Sequence, residues 1–127
     1  MVVQDFISIL EKEAPLSYQE SYDNAGLLVG NKTDSVSKVL ITLDVTEAVV
    51  QEAIECGANL IISHHPLIFK PLRKINNDTE TGRCISLALK HEIAIYACHT
   101  NIDSVITGVN ARICDKIGLK NRKILSP

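Results

Sequence analysis

Three short apolar runs constrain the fold more than any other feature of the chain. Lys38–Leu43 (KVLITL), Leu60–Ser63 (LIIS) and Ile93–Cys98 (IAIYAC) are apolar, largely β-branched runs with the length of strands, not helices. Each is followed by a segment whose apolar residues recur at helical spacing. These stripes are Val49, Ala53 and Cys56, then Ile85, Ala88 and Leu89, then Ile106, Val109, Ile113 and Ile117. A strand–helix pair repeated in this way dictates parallel βαβ units, with right-handed crossovers and helices on the faces of the sheet. The expected fold class is therefore α/β, a three-layer α/β/α arrangement around a mostly parallel sheet. The unbroken apolar character of the third run fits a strand covered on both faces.

Local signals place the boundaries. Val3, Phe6, Ile7 and Leu10 recur at helical spacing, so Val2–Glu13 reads as an opening helix that Pro15 ends. Ser17–Asp34 is polar and punctuated by Asn24, Gly26, Gly30 and Asn31, which predicts a loop or a short irregular strand. Asp44 and Glu47 have capping-box spacing, Thr46 is the alternative N-cap, and Gly57 stops the helix that follows. Gly82–Glu92 reads as the second crossover helix, and a last helix runs from Val105 or Thr107 to Ile117, with Gly118 as its stop. Between them, His64–Gly82 holds two prolines and no periodic pattern; connections of that length are usually functional. The short basic tail Lys120–Pro127 (KNRKILSP) reads as the start of a linker. The expected organisation is one α/β domain over 1–119, the N-terminal half of a longer protein, with linker beginning over 120–127.

Composition removes several function classes. With 13 Lys and Arg against 15 Asp and Glu, the net charge of −2 gives no general pull toward nucleic acid or an anionic membrane. No apolar run approaches a membrane span, and no basic-then-apolar leader pattern precedes the first helix. The four cysteines, Cys56, Cys84, Cys98 and Cys114, are dispersed without a C-x-x-C pair. They read as free, mostly buried thiols in a reducing compartment, the cytoplasm.

In a parallel α/β sheet, ligands bind at the carboxyl ends of the strands. Those ends are Asp44, then Ser63-His64-His65-Pro66, then His99-Thr100-Asn101-Ile102-Asp103, so three of the four histidines fall where a site belongs. The fourth, His91, sits at a helix C-terminus, where an imidazole suits the dipole. Successive strand side chains diverge, and Pro66 extends the backbone, so His64 and His65 are expected to spread apart, one imidazole per ion of a two-metal site. Asp103 would bridge two cations about 3.5–4 Å apart; its ordinary alternative is the N-cap of the last helix, a role that Ser104 or Thr107 could also fill. His99, Asn101 and Asp44 are placed to support the ligands, with one of His99 and Asn101 orienting a ligand and the other donating to a bound oxygen. Imidazole with carboxylate suits Zn²⁺, Fe²⁺ or Mn²⁺ and not a structural thiolate zinc. Two ions need more ligands than His64, His65 and Asp103 supply. Three other features are weaker: Asn24–Gly30 lacks a Walker lysine, Cys98 faces away from His99, and Lys70, Arg73 and Lys74 read as a solvated loop face.

Four segments in order, Tyr22–Gly30 (YDNAGLLVG), Ile41–Thr46 (ITLDVT), Ile62–Phe69 (ISHHPLIF) and His99–Asn110 (HTNIDSVITGVN), resemble the dinuclear-metal proteins called GTP cyclohydrolase 1 type 2 homologues, or NIF-like proteins. Tyr22 stands where members often have Trp. The resemblance covers only the N-terminal half of such proteins. It implies an α/β/α fold, two divalent metal ions and a ring-shaped homohexamer. It places adjacent histidine ligands on His64 and His65 and a bridging aspartate on Asp103, with a further His and Glu in the C-terminal half. It also implies metal-activated water attacking a nucleotide-like or other small substrate, with His99 as candidate proton shuttle. The alternative is a non-enzymatic protein that binds metal or partners.

Overall fold

The computed structural model describes residues 1–124, so Leu125–Pro127, the end of the expected linker, lie outside the described residues. The chain opens with helix α1 (Val3–Glu13), whose first amides are satisfied locally. Asp5 Oδ2 accepts from Val2 N at 2.8 Å, while Asp34 O and Lys32 O accept from Val3 N and Gln4 N at 2.9 and 2.8 Å. A 3₁₀ turn at Leu16–Tyr18 leads to strand β1 (Gly26–Val29). There follow β2 (Val39–Thr42), α2 (Glu47–Cys56), β3 (Leu60–Ser63), α3 (Glu80–Lys90), β4 (Ala94–Ala97), a single turn α4 (Thr100–Asp103) and α5 (Val109–Lys116).

The sheet has the order β1-β4-β3-β2. The three apolar runs form its parallel part: β2 pairs β3 and β3 pairs β4, with Thr42, Ser63 and Ala97 level at their carboxyl ends. Alternation along these strands sorts the core into two layers. Ile61 and Ile95 join Val50, Ala53, Cys84, Ile85 and Ala88 of α2 and α3 on one face. Leu60, Ala94 and Tyr96 join Val3 and Ile7 of α1 on the other. That is the expected three-layer arrangement. β2 is an edge strand, and Ile41 is 79% exposed on it.

Departures from the expected elements have local causes. β1, inside the segment read as loop or irregular strand, pairs antiparallel with β4 and slips register between Leu27 and Val29. Gly30 ends it at φ 94°, where a Cβ would lie 2.8 Å from the Cα of Ala94. Thr46, not Asp44, caps α2, its Oγ1 accepting from Val49 N at 3.3 Å. Thr79 caps α3, which begins two residues before Gly82, with its Oγ1 accepting from Gly82 N at 3.1 Å. The expected last helix starts late, as α5 at Val109, and the turn α4 before it was not expected; at Gly108 a Cβ would collide with the Ile102 carbonyl. Neither Asp103 nor Ser104 nor Thr107 caps α5; its N-cap is Gly108, without a side-chain bond. Ile106, Ile113 and Ile117 are exposed and only Ala111 of α5 is buried, so that stripe does not pack on the sheet. Leu89 is likewise exposed, and of the four free thiols Cys84 and Cys98 are buried.

Two outcomes follow from this packing. Gly30→Ala is expected to cost about 3 kcal/mol, combining backbone strain with a clash. Gly57→Ala, at φ 73° with nothing within 4 Å of the new Cβ, should cost only about 1 kcal/mol. Urea unfolding measures both, and equal losses would discount the contact with Ala94. Burial, then Glu80 and Glu47, push the Cys84 thiol up to about 11. A disulfide reagent at pH 8 should therefore label exposed Cys56 in the folded protein and Cys84 only on unfolding, as peptide mass spectrometry would show.

Candidate metal centre

The backbone ladder continues one step past the strands: His64 N donates to Thr42 O at 3.2 Å, His65 N to Leu43 O at 2.9 Å, and Cys98 N to Ser63 O at 2.8 Å. The segments leaving β2, β3 and β4 therefore stay side by side. Strand β3 stops at Ser63, and the chain bends at His64 and His65. Buried Ser63 helps to hold the bend by donating its hydroxyl to His65 O at 2.9 Å. Side-chain alternation ends with the strand, so the two imidazoles come together, contrary to the expected divergence, with ring centroids 5.0 Å apart. His99 joins them at 5.2 Å from His64 and 5.6 Å from His65. One nitrogen from each ring lies within 4.8 Å of the others.

Each ring is held by its Nδ1. His64 Nδ1 lies 3.0 Å from Cys98 O, His65 Nδ1 2.7 Å from Asp44 Oδ1, and His99 Nδ1 2.8 Å from Asp23 Oδ1. A carbonyl and two carboxylates only accept, so each Nδ1 donates and each Nε2 keeps its lone pair for a ligand. Burial pushes the Asp23 carboxyl up, but hydrogen bonds from His99, Thr100 and Asn24 outweigh it and hold the group below the ordinary carboxylate range. Asp103 stands at the rim, its Oδ2 3.8 Å from His64 Nε2, too long for a hydrogen bond between them. Three imidazoles with three carboxylates close by, and no thiolate among the donors, fit a divalent cation of the Zn²⁺, Fe²⁺ or Mn²⁺ kind.

Other sequence-derived candidates fall elsewhere. Asn101 is fully buried behind the site and cannot donate to a bound oxygen. Its Oδ1 accepts from His99 N at 2.9 Å and its Nδ2 donates to Ala14 O at 2.8 Å, so it props the backbone of His99 against the end of α1. Burial pushes the Cys98 thiol up, which suits a core group and not a nucleophile. Asn24–Gly30 enters β1 and forms no phosphate loop, while Lys70, Arg73 and Lys74 are exposed on the long loop. Exposed Tyr22 and Phe69 meet edge to face at 6.5 Å, and Phe69 lies 6.3 Å from His99. Sequence reasoning missed Asp23, which is 76 residues from its partner. The one available signal was chemical: an oriented imidazole needs a carboxylate or carbonyl behind it.

Asn101→Leu is expected to leave Ala14 O and His99 N unpaired and to destabilise the protein by about 3 kcal/mol. Urea unfolding reads that loss, and a change near zero would mean the buried amide holds nothing in place.

Comparison with known proteins places the chain in a family. The profile of the Duf34/NIF3 (NGG1p interacting factor 3) family matches residues 1–127. The GTP cyclohydrolase 1 type 2 homolog of Halalkalibacterium halodurans is 46% identical over 124 residues, 98% of this chain and 33% of that protein. The protein of the same name from Clostridium perfringens is 42% identical over 125 residues, 98% of this chain and 48% of that one. The crystal structure of a Bacillus cereus protein related to NIF3 superposes with a TM-score of 0.93 at 45% identity, over 100% of this chain and 35% of that chain. Reduced HcgD from Methanocaldococcus jannaschii superposes with a TM-score of 0.90 at 29% identity, over 99% of this chain and 50% of that chain. This chain thus spans between one third and one half of the length of these relatives. With the match running from the first residue to the last, the chain belongs to the DUF34/NIF3 family.

Proposed function

We propose that this chain provides the imidazole-rich part of a dinuclear metal centre in a metal-dependent hydrolase acting on nucleotide-like or other small substrates. The observation behind the reading is the trio of imidazoles, each held by Nδ1 against an acceptor, with one nitrogen of each within 4.8 Å of the others. His64, His65 and His99 are the ligands proposed from the histidines, and Asp103 is the carboxylate ligand. His99 is read here as a ligand and not as the proton shuttle expected from the sequence, because its Nδ1 is committed to Asp23 and its ring stands with those of His64 and His65, one nitrogen of each within 4.8 Å of the others. When bound, a divalent cation polarises water and substrate oxygens.

The protein's own groups do the rest. Asp44 orients His65, the Cys98 carbonyl orients His64, and the edge-to-face pair of Tyr22 and Phe69 offers an apolar wall beside the donors. The remaining ligands come, in this reading, from chain that the longer relatives possess beyond the matched span. The assembled protein is proposed to be a cytoplasmic homohexamer. No helix among the described residues is long and apolar enough to cross a membrane. The names of the relatives, GTP cyclohydrolase 1 type 2 homolog, support a hydrolytic reading at a heterocycle.

Titration with Co²⁺, followed by absorption and by elemental analysis, tests the site. His64→Ala and His99→Ala should each weaken binding at least tenfold. Asp103→Asn should lower metal content with little loss of stability, since its side chain caps no helix. Binding that is indifferent to His64→Ala would end the reading. Metal retention without turnover of any phosphoester, amide or purine nucleotide by the metal-loaded full-length protein would replace the hydrolase with a metal-binding role.

A further inference from the structure

We propose that Asp23 is a positioning residue for the metal centre: it fixes His99 in the Nδ1–H tautomer and so keeps the Nε2 lone pair available to a cation held beside His64 and His65. This rests on reading His99 as a ligand. The three imidazoles are not anchored alike. His64 leans on a backbone carbonyl, which any side chain at position 98 would supply. Asp44, behind His65, has a side chain 58% exposed, so water can stand in for it. The Asp23 side chain has no exposed surface, and solvent cannot replace it.

Both carboxylate oxygens are fully assigned. Oδ1 accepts from His99 Nδ1 at 2.8 Å and from Asn24 N at 2.7 Å. Oδ2 accepts from Thr100 N at 3.0 Å and from the Thr100 hydroxyl. The two backbone amides are donors that cannot reverse, one on each oxygen, so the carboxylate must accept on both sides and His99 must donate. An amide breaks this arrangement whichever way it is turned. With its Nδ2 toward His99, the imidazole has to accept there, its proton moves to Nε2, the nitrogen a cation needs, and Asn24 N loses its acceptor. With its Nδ2 toward Thr100, two donors face one another and a buried backbone N–H is orphaned.

The neighbours of Asp23 extend the same grip. Asn24 Nδ2 donates to Ile68 O at 2.6 Å, and the Tyr22 ring meets Phe69. Three successive residues ahead of β1 thereby join the loop after β4 to the loop after β3, across the mouth of the site.

Long-range ¹H–¹⁵N correlation spectra of the metal-free protein read the His99 tautomer, and Co²⁺ titration reads cation binding. The unsubstituted protein should show Nδ1–H at His99. Asp23→Asn should shift the ring toward Nε2–H and weaken Co²⁺ binding by about 10–100-fold. Thr100→Val removes a hydroxyl from the same carboxylate but leaves His99 its acceptor; it should keep both the tautomer and the Co²⁺ affinity of the unsubstituted protein. An unchanged tautomer in folded Asp23→Asn overturns the proposal, as does an equal loss of affinity in Thr100→Val. Nε2–H at His99 in the unsubstituted protein overturns it without any variant. If the tautomer responds as stated but the unsubstituted protein takes up no Co²⁺, the metal reading falls and the hold of Asp23 on His99 stands.

Discussion

Thr42, Ser63 and Ala97 stand level across three parallel strands, and the chain leaves all three at the same end of the sheet. Parallel hydrogen bonding thus brings together groups that are remote along the sequence, and it brings them together as backbone first. The amides of His64, His65 and Cys98 extend the ladder one rung beyond the strands, which fixes the starting points of the side chains before any of them touches another. A site at the carboxyl edge follows from this topology, as it does in open α/β sheets generally. The antiparallel strand β1 adds a fourth contributor, because the segment leading into it places Asp23 against the loop after β4.

A carboxylate without exposed surface is costly unless its oxygens are saturated by donors. Asp23 meets that condition with backbone amides, a hydroxyl and an imidazole, and the cost of its burial is offset within one small network. The network reaches back into the core. Asn101 ties the amide of His99 to the carbonyl of Ala14, the residue that caps α1, so the packing of Val3 and Ile7 against the sheet bears on where an imidazole stands. Stability and site geometry are therefore coupled through a few buried polar groups and not through the apolar layers alone.

What could be read in advance was whatever local patterning determines. KVLITL, LIIS and IAIYAC became strands because apolar, largely β-branched runs of that length have few alternatives, and the parallel order followed from the intervening helices. The clustering of histidines at one edge was legible for the same reason. Four features were not. β1 lies in a polar, glycine-marked stretch whose pairing with β4 depends on close approach at Gly30, a tertiary contact with no periodic signature. The last helix begins only at Val109, because Gly108 packs against the Ile102 carbonyl of a preceding turn, although the isoleucine spacing starts earlier, at Ile106. His64 and His65 converge because the chain bends after Ser63, where the rule of alternating side chains no longer applies. Asp23 was hidden by distance along the chain, since nothing near it in sequence needs a carboxylate.

The two sides of the sheet end differently. β1 is short, slips register and is bracketed by glycines of positive φ, a combination that discourages further pairing. β2 is regular, with Ile41 exposed and the adjoining Lys38 donating its ammonium to the Cys56 carbonyl at 2.6 Å. Lysines on a strand edge ordinarily repel an incoming backbone, and this one is directed elsewhere. The sheet therefore has a polarity of growth: another strand added beside β2 would extend the ladder without disturbing a single existing rung.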